Sequence, residues 1–304
     1  MLQKIGSASV GEPGALDQGD VCLTSGQVFV AHIAADRIEH FDGVTLTHLQ
    51  SIPGCSAGSG VLYAPELEWM LIGSRGDGQL LVLDAPTGVL RRNLSVGPRP
   101  NGIVWDPTGH RVLVADVATK DVRSIDPVTS ETAAMAELPG RPRWCVYDWA
   151  RDCYWINIQD PAIVQGLFAS DLTAVAALSP GAKGPHGLAL DCEHDQLLVA
   201  YDAAQLVVIA LASGTVVTVT PLAGPPDVIW RNELRGLLYV GIGDPGCVQV
   251  VDTVSYRVID EISTEPGAHT LAFDTIRQRL YVFLPKTGRV AVYRHASEAK
   301  GYWT

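Results

Sequence analysis

Two histidines open closely similar stretches of the chain: His186 in GPHGLALD (184–191) and His269 in GAHTLAFD (267–274). An imidazole titrates near neutrality and can hold or pass a proton. Asp202 follows His186 by one strand length and a turn, with Tyr201 just before it. A carboxylate beside an imidazole fixes its tautomer and stabilises its protonated form, which suits a general acid or base near pH 7. The same pair can also be a purely structural tie between two strands. Arg75, Arg143 and Lys286 supply positive charge of the kind that holds a carboxylate, or else form surface ion pairs with Asp77 or Asp116. These groups do chemistry only if the chain brings them to one concavity, so the elements that carry them come next.

Those elements repeat. GDVCLT (19–24), SGVLYA (59–64), NGIVWD (101–106), RWCVYD (143–148), HGLALD (186–191), PDVIWR (226–231) and HTLAFD (269–274) begin 40, 42, 42, 43, 40 and 43 residues apart. Each is followed by a polar turn and a second apolar strand: QVFVAH, WMLIGS, RVLVAD, CYWINI, QLLVAY, LLYVGI and RLYVFL. Third strands such as QLLVLD and RVAVYR come next, and a fourth leads into the following Gly/Pro signal. Four short alternating strands per repeat, with no helical periodicity, predict an all-β, seven-bladed β-propeller of four antiparallel strands per blade. The seventh copy ends after its third strand, and KIGSASVG (4–11) precedes the first copy. The N-terminal strand is therefore expected to close the last blade, making one domain of residues 1–304 with a leftover tail at about 296–304.

In a propeller the first position of each copy reaches one mouth of the central channel, beside the end of that blade's second strand. The expected mouth is Gly19 with His32, Ser59 with Ser74 and Arg75, Asn101 with Asp116, and Arg143 with Asn157. It continues with His186 beside Tyr201 and Asp202, Pro226 beside Asp244, and His269 beside Lys286. Strand interiors are apolar, so this polar gathering is the candidate site. His186, Asp202, His269 and Tyr201 are the catalytic candidates, with His186 as a neutral base oriented by Asp202. Arg143, Arg75, Lys286, Asn101, Asn157, Trp144 and His32 are the substrate-binding candidates. Trp144 either walls a pocket or fills a gap between blades. His32, His186 and His269 are also the one set that could converge on a divalent metal.

Composition narrows the function. The 304 residues are 47% hydrophobic and 18% charged, as in a globular chain. Lys plus Arg number 22 against 33 Asp plus Glu, a net charge of -11. That repels phosphate backbones and anionic lipid, so neither nucleic acid nor a membrane is an expected partner. The apolar run at 206–224 is broken by Ser213-Gly214-Thr215 and reads as a hairpin. Six cysteines without zinc spacing, and no signal-peptide core at the N-terminus, point to reduced thiols and a cytoplasmic home. No serine elbow, phosphate loop or cofactor fingerprint is present, so no cofactor is expected.

The motifs LLYVGIGDPGCVQVVDT, RVLVADVATKDVRSIDP and GPHGLALD resemble the YVTN-repeat β-propeller family over nearly the whole chain. That resemblance implies the fold and leaves the activity open. PHG at 185–187 with Asp202 is similar in site design to the streptogramin lyases, seven-bladed propellers in which a histidine and a glutamate act with magnesium to open a cyclic ester by elimination. In that family the pair lies in the last blade, which here offers His269 with Lys286 and no carboxylate. The expected function is acid–base chemistry in the central funnel on a small anionic or lactone-like molecule: elimination, isomerisation or cyclisation, or ring opening. The alternative is a non-catalytic propeller that serves as a ligand- or protein-binding scaffold.

Overall fold

The computed structural model describes residues 1–296 and is built almost wholly of strands. After β1 (Leu2–Ser9), blade 1 is β2 (Leu16–Cys22), β3 (Gln27–His32), β4 (Arg37–Asp42) and β5 (Thr47–Pro53). Blade 2 is β6 (Gly58–Ala64), β7 (Trp69–Ser74), β8 (Gln79–Asp84) and β9 (Leu90–Ser95). Blade 3 is β10 (Pro100–Asp106), β11 (Arg111–Asp116), β12 (Asp121–Ile125) and β13 (Thr132–Glu137). Blade 4 is β14 (Pro142–Asp148), β15 (Cys153–Ile158), β16 (Ile163–Phe168) and β17 (Ala174–Leu178). Blade 5 is β18 (Pro185–Asp191), β19 (Gln196–Tyr201), β20 (Gln205–Ala210) and β21 (Val216–Pro221). Blade 6 is β22 (Pro226–Asn232), β23 (Leu237–Ile242), β24 (Cys247–Asp252) and β25 (Val258–Ser263). Blade 7 is β26 (Leu271–Asp274), β27 (Arg279–Leu284) and β28 (Arg289–His295), with β1 as its outer strand.

All seven sheets are antiparallel and four-stranded, as the repeat requires, and the seven expected second strands coincide with β3, β7, β11, β15, β19, β23 and β27. The run at 206–224 is the β20–β21 hairpin. Among the described residues no helix is long and apolar enough to cross a membrane. The expected tail beyond 296 lies outside the described residues.

The second and third strands are apolar at nearly every position because blades stack on both their faces. Alternate residues of β3 show it: Phe29 and Ala31 pack towards blade 2, while Val28 and Val30 pack towards blade 7. Seven such apolar clusters fill the seven interfaces between blades. The fourth strands face solvent on one side and alternate, as in VIDEIS of β25. β1 runs antiparallel along β28 from Leu2 opposite His295 to Ser9 opposite Arg289, closing the ring with the chain's two ends. Ala8 and Val10 are buried in the interface between blades 7 and 1.

One irregularity sets up the site. In six blades the inner strand slips register by one residue against its neighbour just inside the mouth, as between Pro185 (opposite Tyr201) and Leu188 (opposite Val199). A β-bulge of this kind re-aims a side chain out of the ladder. Here it sits at the channel mouth in blade after blade.

Candidate functional site

The bulge register defines one equivalent position per blade: Asp17, Ser59, Asn101, Arg143, His186, Asp227 and His269. Two expected first positions need correction. Gly19 is replaced by Asp17, because Leu16 and not Gly19 pairs with His32. Pro226 is replaced by Asp227, because Pro226 matches Pro185 in the register. The corrected positions lie 42, 42, 42, 43, 41 and 42 residues apart.

His186 lies at the centre of the polar cluster. Its Nδ1 is 3.0 Å from Asp202 Oδ1, and its Nε2 is 3.0 Å from Asp227 Oδ1. Arg143 Nη1 donates to the same Asp202 Oδ1 at 3.1 Å. On the far side of Asp227, His269 Nε2 lies 3.8 Å from Oδ2 and 3.3 Å from the carbonyl oxygen of Leu16. In blade 2 the equivalent Ser59 is small and buried, bonded to the Pro100 and Gly73 carbonyls. Arg75 from the loop after β7 donates instead to Asp17 Oδ2 and to Asn101 Oδ1, each at 2.8 Å. Charges therefore alternate around the mouth, and the His186 and His269 side chains keep 25% and 35% of their surface open to it.

This geometry sets the protonation states. Burial alone would lower His186, but the hydrogen bond to Asp202 and the charge of Asp227 outweigh it and raise its pKa to about 9. That direction, with a carboxylate 3.0 Å from each ring nitrogen, favours the imidazolium at neutral pH over the neutral base expected from the sequence. Burial would raise Asp227 and Asp202, yet the His186 contact, with Arg143, keeps both below the ordinary carboxylate range. Asp17 goes the other way, raised first by burial and then by the charge of Asp227. Asp17 and its neighbour Asp227 are thus shifted in opposite directions. Arg141 is lowered by burial and by the charges of Arg143, Arg75 and Arg99.

Four other expected site residues stand elsewhere. Tyr201 is fully buried between blades 4 and 5, its hydroxyl turned into the apolar cluster and away from Asp202. Strand alternation sends neighbours to opposite sides, so Tyr201 and Asp202 cannot both face the mouth. His32 is buried and points away from the channel, with Nδ1 2.9 Å from Glu39 Oε1. It cannot join a metal set, and among the described residues no group of three or more His, Cys, Asp or Glu could hold a metal ion. Asn157 is buried too. Its amide donates to the backbone carbonyls of His186 at 2.8 Å and Gly187 at 3.1 Å, so it positions the blade 5 bulge and does not meet a ligand. Lys286 is exposed on its loop, where its backbone N–H donates to Glu265; its side chain makes no contact with the cluster among the described residues. Trp144 does reach the channel. It packs against the interface of blades 4 and 5 and also against that of blades 6 and 7, which places its indole across the axis as the floor of the mouth.

Asp17 and Asp227 are the site residues that the sequence reading missed. A signal was there: Pro100, Pro142, Pro185 and Pro226 each come just before the mouth residue of their blade. Aligning on proline, and not on the apolar run, would have found Asp227.

No protein-family model matches the chain, and no curated protein matches it. The chain is a seven-bladed propeller on its own architecture, and its finer likenesses rest on the motifs quoted above.

Proposed function

We propose that the protein is an enzyme that binds a small anionic or lactone-like molecule at the channel mouth and moves a proton on it. Elimination, isomerisation or cyclisation, and lactone opening are the reaction classes that fit. The observation that carries this reading is the His186 ring, fixed 3.0 Å from both Asp202 and Asp227 in a mouth that also holds His269, an arrangement that favours its imidazolium. A fixed cation stabilises an enolate or alkoxide as it forms. His269, backed by Asp227, takes or returns the proton. Asp17 is the matching acid, and Arg143 and Arg75 hold the ligand's negative group. The pairing of a histidine with a carboxylate is similar to the site design of the streptogramin lyases, apart from the magnesium those enzymes use, and the six free cysteines accord with a reducing, cytoplasmic setting.

A second reading is favoured by one feature. Arg75, Arg143 and His186 are already paired with Asp17, Asp202 and Asp227. A self-neutralised ring of this kind also suits a binding scaffold without chemistry.

The test is a panel of lactones and β-substituted carboxylates followed by proton release and by NMR. Turnover of at least one class is expected, and His269→Gln should lower it by ~10²-fold, the usual worth of a positioned acid or base. Its Tm should hardly change, because the ring is partly exposed and contacts only Asp227 and a carbonyl. Saturable binding at the mouth with no turnover in any class would leave the scaffold reading in its place.

A further inference from the structure

On the other side of Trp144 lies a second concavity that the mouth chemistry does not use. It has a volume of about 680 Å³ and is lined from all seven blades, ample room for a flat ligand of two or more fused rings. Its walls carry Trp105, Trp144, Tyr147, Trp149 and Trp230. Trp149 is 67% exposed at the open end, opposite the mouth that holds His186. Aromatic residues fill gaps in many cores, but an indole standing in solvent beside an open cavity fills none.

Charge on the same walls is lopsided. Asp20 lies in the wall, its carboxylate taking the N–H groups of Val21 at 2.7 Å and Tyr63 at 2.8 Å. Glu233 adds a second carboxylate at the rim. The one cation of the lining, Arg231, is bound to Asp191 at 2.7 Å and to Glu233 at 3.1 Å. Electron-rich ring faces with a carboxylate that no cation opposes attract positive charge. The net charge of -11 disfavours an anion here as well.

We propose that this cavity is a binding site for a flat aromatic cation of two or more fused rings. The cation stacks on the exposed Trp149 indole at the open end, with Asp20 as its counter-charge. Burial raises Asp20 to about 7 against its two backbone donors, so its charge is complete only above neutrality. The other titratable groups around the cavity are Arg231 and Glu233, with the Tyr147 phenol and the Cys145 and Cys192 thiols, all three raised by burial.

The test uses three probes of one shape, followed by tryptophan fluorescence and calorimetry: 1-methylquinolinium, neutral quinoline and anionic 2-naphthoate. At pH 7.5 the cation should saturate the quenching and bind roughly 5- to 10-fold more tightly than quinoline, with 2-naphthoate weakest. Trp149→Ala, at an exposed position, should weaken the cation by roughly 5-fold. Between pH 6 and pH 8 the cation should bind more tightly as Asp20 ionises while quinoline holds steady, and Asp20→Asn should remove that difference. Tighter binding of 2-naphthoate, no saturation by the cation, or a Trp149→Ala variant that binds like the parent would overturn the proposal. The pH comparison on the unaltered protein stands even if Asp20→Asn fails to fold.

Discussion

Replacing His186 by alanine is expected to lower turnover of the mouth's substrate by ~10²-fold or more, the cost of removing one preorganised charge at a reacting centre. The loss should fall on kcat, because Arg143 and Arg75 remain to hold the ligand. Stability should fall only by a few degrees. The two ion pairs are partly open to solvent, where such pairs are worth little, and Asp202 keeps Arg143. The pH dependence is the sharper check. Folding raises the His186 pKa from its ordinary 6.5 to about 9. Its contribution to stability is therefore complete below pH 6.5 and fades as the pH rises through 9. Activity that needs the imidazolium should follow the same upper limb, and Asp202→Asn should move that limb to lower pH. A rate that is flat through pH 9, or a His186→Ala variant with full turnover, would show that the imidazolium has no part in the chemistry.

Glu39→Ala is expected to cost the most in stability. Glu39 is buried in blade 1, where Oε1 accepts from His32 at 2.9 Å and from Arg37 at 2.6 Å. Oε2 accepts from His48 at 2.9 Å and from Ser51 at 2.5 Å. Removing the shared acceptor leaves buried His32 without its partner, while Arg37, His48 and Ser51 turn to solvent, a loss of roughly 1–3 kcal/mol, or a few °C in Tm. Burial would raise this carboxyl, but the bonds from His32, Ser51, His48 and Arg37 bring it from an ordinary 4.5 down to about 2. The stability it contributes is present above pH 4.5 and is lost as the pH falls through 2. Urea unfolding of the parent and of Glu39→Ala at pH 7 and near pH 2 should show a gap that closes in acid. A gap of under ~1 kcal/mol at pH 7 would mean that His32 finds water too. Turnover at neutral pH should not change, since the network faces away from the channel.

The fold was legible because its signal is redundant. Second strands such as WMLIGS and QLLVAY are buried on both faces and keep nearly the same spacing, so an error in one copy is outvoted by six others. The mouth has no such redundancy. A β-bulge adds one residue without changing the apolar pattern around it, so alignment on that pattern passed over Asp17 and Asp227. Side-chain direction was the other gap. His186 and Asp202 were placed together correctly from topology alone. His32 and Tyr201 also sit at strand ends, but alternation turns them into blade interfaces, and nothing local in their sequence tells the two cases apart. The buried Glu39 reads as an ordinary strand residue in RIEHFD, since its four partners come from three separate strands and are invisible before folding.

The loop joining β1 to β2 lies over the Glu39 network. At Gly11, with φ of +122°, a side chain would press on the Glu39 carboxylate, and at Gly14 one would press on the His32 ring. The crossover from the closing strand into blade 1 thus depends on a buried carboxylate that accepts four hydrogen bonds.

Ring closure joins residues from opposite ends of the chain, Leu2 to His295. On a ribosome β1 emerges first and β28 last, so the first strand made waits through synthesis of all the others. Contacts of such sequence separation form late and slowly, because the intervening chain must be ordered before they return anything. Until β28 is made, β1 has no partner strand, and an unpaired strand edge is the feature through which chains associate before they close.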